Sequence, residues 1–199
     1  MKNIRLIIFD VYGVLLRGGY PDTSRAIAKK NGGKWKDIYK ILYGYFNKAA
    51  IREISQKEAW QKSIKKLGLK MLVSKITSIH YSLMSPNMQV FSKVNRLKKS
   101  YKVLLLSKNT RQQFSYLTKH IPIIRKTFGK NVINTWEYKL PKASKETMLM
   151  VCKRFQLRPE EIIYIDDQKD NLVEAKKMRM NTILYINFKD FSKKIDKLL

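Results

Sequence analysis

The sequence predicts an α/β protein, a doubly wound parallel sheet that carries a small all-helical insertion. Three observations predict it. Short runs rich in Ile, Val and Leu (4–9, 103–106 and 162–165) stop at Asp10, Ser107 and Asp166 in turn, which is how a strand buried on both faces reads. Stretches with apolar residues at three- and four-residue spacing alternate with these runs, the pattern of a parallel sheet wound by helices. Residues 19–88 interrupt the alternation, being aromatic and helical in period, with no convincing strand.

In chain order, the first strand and its loop end near Gly18-Gly19. Within the insertion, the periodicity predicts helices over 37–46 and 55–67. Ser55-Gln-Lys-Glu58 is a capping box for the second, with Ile54 placed as its hydrophobic staple. Pro86 marks the return to the sheet domain. The order expected from there is a helix, a strand at 103–106, a helix at 111–119, a short strand at 132–134 and a helix at 144–155. A strand at 162–165, a helix at 170–178, a strand at 182–186 and an amphipathic terminal helix over 188–199 complete it. The expected division is a core domain of 1–18 and 89–199, with a helical domain of 19–88.

A chain of 199 residues that is 44% hydrophobic can bury a proper core. One cysteine, Cys152, excludes an internal disulfide framework and suits a reducing compartment. The apolar N-terminal run is broken by Arg5 and Asp10, and nowhere do 18 apolar residues stand together, so neither a signal peptide nor a membrane span is expected. The expected location is cytoplasmic. The formal net charge is +27. Its surplus concentrates in two segments, with fourteen Lys and Arg against four Asp and Glu in 19–88 and thirteen against one in 89–142. The basic residues, among them Lys29, Lys62, Lys98 and Lys153, are scattered and match no nucleic-acid-binding module. They read as a solvated surface that binds polyanions nonspecifically at low salt.

Ligands of open parallel sheets bind beyond the carboxyl ends of the strands. Asp10, Ser107 and the pair Asp166-Asp167 should therefore converge on one crevice. A carboxylate ending a buried strand is costly unless compensated, and two adjacent acids repel each other. Both facts ask for a cation, and Mg²⁺ prefers oxygen ligands.

Four pieces of the chain resemble the haloacid dehalogenase-like (HAD) hydrolases. They are FDVYGVL (Phe9 to Leu15), LLLSKNT (Leu104 to Thr110), KASKETM (Lys142 to Met148) and IDDQKDN (Ile165 to Asn171). Lys142 lies 24 positions before Asp166, a spacing that fits the family without a gap, whereas Lys139 fits it worse. Arg158 to Met178 follows the family pattern almost throughout, and Asn47 to Gly68 looks like the cap helices of its sugar-phosphatase-like members. The resemblance implies that Asp10 is a nucleophile forming an aspartyl-phosphate. It also implies Mg²⁺ held by Asp10, the backbone carbonyl of Tyr12 and Asp166, with Asp167 acting through water, and a phosphoryl group bound by Ser107 and Lys142.

Three departures qualify what the resemblance implies. Tyr12 stands where most phosphatases of the family carry the Asp that protonates the leaving alcohol. Tyrosine there resembles the dehalogenating branch, which usually lacks the double acid and carries an arginine-bearing cap helix where this chain has Trp35-Lys36-Asp37. Ala143 replaces the usual proline after the lysine, and Arg179 takes a glycine position after the next helix, at a small expected cost in stability. Asp170 and Asn171 read as loop and helix-start residues. Lys108 reads either as an extra cation beside the site or as a solvated one. Tyr39, Tyr43, Tyr45, Phe46 and Trp60 read as pocket lining or insertion core. The expected function is a Mg²⁺-dependent phosphomonoesterase of small phosphorylated substrates. The alternatives are a 2-haloacid dehalogenase and a catalytically weakened basic polyanion-binding protein.

Overall fold

A computed structural model describes residues 3–199. Its centre is a parallel five-stranded sheet in the order β5-β4-β1-β6-β7. The strands are β1 (Leu6–Asp10), β4 (Lys102–Ser107), β5 (Val132–Asn134), β6 (Ile162–Asp166) and β7 (Asn181–Leu184). Side chains alternate across it, as strand geometry requires. Ile7, Phe9, Leu105, Ile163 and Ile165 face one apolar layer, and Leu6, Ile8, Leu104, Leu106, Ile162 and Tyr164 face the other. The first layer is completed by α5 (Met88–Leu97), α6 (Arg111–His120), α7 (Ile123–Phe128) and α10 (Phe188–Leu198). The second is completed by α8 (Lys145–Phe155) and α9 (Val173–Lys177). Helices on both faces make the sheet doubly wound, as expected.

The strands run one residue further than the apolar runs suggest. Asp10 still pairs with Leu106, Ser107 with Asn134 and Asp166 with Leu184, so the polar stops are the last sheet residues rather than the first loop residues. The helix expected over 170–178 opens as a 3₁₀ turn, Lys169–Leu172, before α9. The last strand spans Asn181–Leu184 rather than 182–186. Arg179 has φ 67°, the left-handed conformation that favours glycine, in keeping with the expected small strain.

Between β2 (Leu16–Arg17) and β3 (Ser85–Pro86) lie four helices: α1 (Tyr20–Asn31), α2 (Trp35–Ala50), α3 (Gln56–Lys66) and α4 (Val73–Ser82). The two short strands pair antiparallel, Leu16 with Pro86 and Arg17 with Ser85, a ribbon that the sequence did not reveal at the foot of the insertion. The four helices bury a cluster of their own around Ile27, Leu42, Phe46, Trp60 and Ile76. At about 1.5–3 kcal/mol per large apolar side chain, this packing holds the helices to one another. The capping box is formed: Ser55 Oγ accepts from Glu58 N–H at 3.1 Å, and Glu58 Oε2 accepts from Ser55 N–H at 2.8 Å. Ile54 packs against the same cluster. No helix among the described residues is long and apolar enough to cross a membrane.

Candidate active site

Strands β4, β1 and β6 are adjacent and parallel, so their carboxyl ends set Ser107, Asp10 and Asp166 side by side. Lys142 reaches them from the loop before α8. That loop is fixed by Ser144, which caps α8 by accepting from Thr147 N–H at 3.2 Å, and by Thr147 Oγ1, which donates to Pro141 O at 2.7 Å. The Lys142 ammonium lies 2.7 Å from Asp10 Oδ1 and 2.8 Å from Asp166 Oδ2. All three groups are buried. Lys139, the rival lysine, is exposed at the end of a 3₁₀ turn with φ 55°, so geometry selects Lys142.

Asp166 is the most firmly held member. Tyr164 Oη donates to its Oδ2 at 2.7 Å, and Asn171 Nδ2 and Gln168 N–H both donate to its Oδ1 at 2.9 Å. Burial opposes its ionisation, but the Lys142 charge and these hydrogen bonds outweigh burial and hold the carboxyl below its ordinary value. Asp10 differs: burial, opposed by Lys142 and helped by the two neighbouring carboxylates, pushes it up to about 7. Asp167 rises to about 6 through burial and then the Asp166 charge. The coulombic pull of both acids keeps the Lys142 ammonium well above its ordinary value against the burial that opposes it.

Oxygens of Asp10, Asp166 and Asp167 lie within 4.8 Å of one another. Three carboxylates facing one ammonium leave negative charge uncompensated, a donor set that suits a hard divalent cation. Gly13 makes room for Asp167. A Cβ there would stand 2.1 Å from Asp167 Oδ2, so the loop after β1 closes over the acidic cluster only because residue 13 has no side chain. The residues present therefore fit Mg²⁺.

The family model of haloacid dehalogenase-like hydrolases matches residues 4–178. The chain belongs to this family. Its fold superposes on a HAD family enzyme from Bacteroides thetaiotaomicron solved as a magnesium complex, at 20% identity and TM-score 0.75, covering 98% of this chain and 99% of that one. A predicted HAD-like family hydrolase from Porphyromonas gingivalis gives 20% identity and TM-score 0.76, covering 98% of each chain. The L-2-haloacid dehalogenase from Xanthobacter autotrophicus gives 15% and 0.68, covering 98% of this chain and 83% of that one. No curated protein matches in sequence.

In this HAD-like hydrolase, Asp10, Ser107, Lys142 and Asp167 line one cavity of about 560 Å³ between the carboxyl ends of the strands and the helical insertion. Ser107 is buried, and its Oγ accepts from Asn109 Nδ2 at 2.7 Å and from Asn109 N–H at 3.3 Å. Asn134 in turn donates to Asn109 O at 2.8 Å, which ties the turn to β5. Tyr12 also lines the cavity, but its hydroxyl points to Met84 Sδ at 3.7 Å. Its ring packs where a Cβ on Gly19 would come within 3.2 Å. Of the two roles open to this side chain, leaving-group contact or packing under the insertion, the geometry gives it the second. Burial also raises the phenol well above its ordinary value, which makes it a poor acid.

Lys108 is not simply solvated. Its ammonium donates to Tyr43 Oη at 2.9 Å and Asn47 Oδ1 at 3.0 Å, and Tyr43 Oη donates to Gln168 Oε1 at 2.8 Å. These bonds join α2 to the loops after β4 and β6. Tyr39, Tyr43 and Phe46 face the cavity, while Trp60 belongs to the insertion core and Tyr45 packs against it. Asn171 proves to be a partner of Asp166 rather than a mere loop residue. Its position five residues beyond Asp166 was the available signal, and for Tyr164 the signal was the period-two spacing that puts it on the same face.

Proposed function

We propose that this protein is a Mg²⁺-dependent phosphomonoesterase that works through an aspartyl-phosphate at Asp10. The observation that carries the reading is the convergence of Asp10, Asp166 and Asp167 oxygens within 4.8 Å. A haloalkanoate hydrolase, whose nucleophile needs at most a base for the hydrolytic water beside it, does not require three carboxylates converging on a cation.

In this reading Asp10, Asp166, Asp167 and the backbone carbonyl of Tyr12 hold Mg²⁺, which when bound neutralises charge on the phosphoryl oxygens. Lys142, anchored on Asp10 and Asp166, fixes the nucleophile and offers positive charge to the same oxygens. Tyr164, Asn171 and Gln168 keep Asp166 in one rotamer. Ser107, held by Asn109, supplies a hydroxyl for the phosphoryl group. The nucleophile attacks phosphorus as the bond to the ester oxygen breaks and the alcohol departs, and water then cleaves the acyl phosphate, releasing phosphate and regenerating Asp10.

Tyr12 is the one residue that favours a second reading, carbon–halogen cleavage, because expelled halide needs no proton. Purified protein should release phosphate from phenyl phosphate with Mg²⁺, lose this activity with chelator and regain it on readdition, and Asp10→Asn should be inactive. Halide release from 2-halo acids, without metal and without phosphate release, would establish the second reading instead.

A further inference from the structure

Two features of the cavity, independent of the acidic cluster, bear on what occupies it. The first is its wall. Tyr12, Tyr20, Tyr39, Tyr43 and Phe46 line the space above Asp10, with Tyr39 stacked on Tyr43 at 5.2 Å and Tyr20 against Phe46 at 4.7 Å between ring centroids. Such a wall suits a flat, apolar ligand body, since offset and edge-to-face ring contacts add to area burial.

The second is the lack of a carboxylic acid free to protonate the substrate's ester oxygen as it leaves. The lining carboxylates are Asp10, Asp22 and Asp167. Asp22 is bonded to Arg25 at 2.7 Å, and Asp10 and Asp167 belong to the acidic floor. The hydroxyl of Tyr12 is turned to Met84. On the insertion side stands the Lys108 ammonium instead, held by Tyr43 and Asn47. A fixed positive charge stabilises a departing anion, and a leaving group that lacks a carboxylic acid to protonate it leaves fastest when it is a weak base.

We infer that the substrate is an aryl phosphate, with the phosphoryl group on a phenolic oxygen, the ring against Tyr39 and Tyr43, and the leaving phenolate facing Lys108. This rests on the phosphatase reading above. The Asp10 carboxylate forms a bond to phosphorus while the bond from phosphorus to the aryl oxygen breaks, and that electron pair leaves as phenolate beside the Lys108 ammonium. Water then attacks the phosphorus of the acyl phosphate, the bond to Asp10 breaks, and dihydrogen phosphate forms. One of its protons passes to the phenolate, giving phenol and monohydrogen phosphate.

The test is a leaving-group series with Mg²⁺: substituted phenyl phosphates, glycerol phosphate and a nucleoside 5′-monophosphate. The phenyl esters should exceed the alkyl esters in kcat/KM by about 10²-fold or more, the usual scale of the missing acid catalysis. Lys108→Gln should steepen the dependence on phenol acidity. Tyr39→Ala should raise KM for phenyl phosphate by about two- to tenfold, the worth of one ring contact, and shift inhibition by inorganic phosphate far less. Equal turnover of alkyl and phenyl esters, or a Tyr39→Ala variant with unchanged KM, would overturn the inference and leave the phosphatase reading standing. If no ester releases phosphate, that reading falls. Calorimetric binding then decides the wall alone: phenylphosphonate binding more tightly than methylphosphonate sustains an aryl site, and equal binding refutes it.

Discussion

Asn171 donates its side-chain amide to Asp166 Oδ1 at 2.9 Å, so the carboxylate at the end of β6 is oriented from a residue in the following 3₁₀ turn. With Tyr164 on the other oxygen, Asp166 has no free rotation about its χ angles. A group held this way is oriented before any ligand arrives. The same rigidity makes the neighbouring contacts testable one by one.

Lys142→Met should be the most damaging single change. It leaves Asp10 and Asp166 buried and facing each other without their ammonium, a loss of about 3–5 kcal/mol for a broken buried pair. Chemical denaturation of the metal-free protein measures it. Lys142→Arg should restore only part of it, because a planar guanidinium does not reproduce the single ammonium that bridges Asp10 Oδ1 and Asp166 Oδ2. Parental stability in either variant would contradict the bridging role.

Gly13→Ala should cost about 1–3 kcal/mol through its φ of +80° and the collision with Asp167. Because the new methyl would displace the Asp167 carboxylate, the rise in Tm on adding Mg²⁺ should vanish as well. In the parent, that rise should correspond to about 2.7 kcal/mol at a metal concentration of 100 times Kd. A variant that keeps the Mg²⁺ response would show that Asp167 is not needed for the cation.

His80 supplies a pH signature that does not involve the acidic cluster. Its Nδ1 lies 2.7 Å from Thr23 Oγ1 and its Nε2 3.4 Å from Gln113 Nε2. Burial lowers the ring from 6.5 to about 3. An unfolded chain takes up this proton near 6.5 and the folded one only near 3, so the unfolded state binds more protons in between. The contribution is fully present above 6.5 and is lost as pH falls, by about 1.4 kcal/mol per pH unit within that window. His80→Gln should therefore remove about 1.4 kcal/mol per pH unit of upward slope between pH 4 and 6.5 relative to the parent, as followed by urea midpoints, while the opposing slopes of the raised Asp10 and Asp167 carboxyls are common to both proteins. An unaltered slope would mean that the ring is protonated in the folded protein.

Tyr12→Asp should extend the reaction to alkyl phosphates. A carboxyl group in place of the ring supplies the acid that the cavity lacks, with a gain of about 10²-fold or more on glycerol phosphate and less on phenyl esters. Equal or lower rates on both would mean that the loop cannot aim a carboxylate at the ester oxygen.

Asp10, Ser107 and Asp166 were legible because each ends an apolar run, and a polar side chain ending a buried strand needs a reason. Lys142 was legible only by its distance from Asp166, since a chain with 42 Lys and Arg gives no single lysine any weight by composition. Tyr164 was hidden because a tyrosine within a strand looks like ordinary core. The partnership of Lys108 with α2 depends on how the insertion sits, which no local pattern encodes. Helices α1 and α4 were illegible one by one for a similar reason. The buried residues of α1 include Thr23 and Ser24, and those of α4 are Ile76 and His80, so polar groups stand where a periodic apolar stripe would have shown.

The seat of the insertion on the sheet domain includes Trp136, whose Nε1 donates to Ala49 O at 3.2 Å and whose ring lies under Arg52. The rest of that seat named above, the contacts of Lys108 and Gln168 with Tyr43 and Asn47, is made by residues that also wall the cavity. At Tyr43 and Asn47, what the cavity admits and how firmly the insertion is seated are therefore one property, whereas Trp136 bears on the seat alone. A mutation at Tyr43 that reshapes the cavity would also loosen the insertion, and selection acting on either property there would drag the other with it.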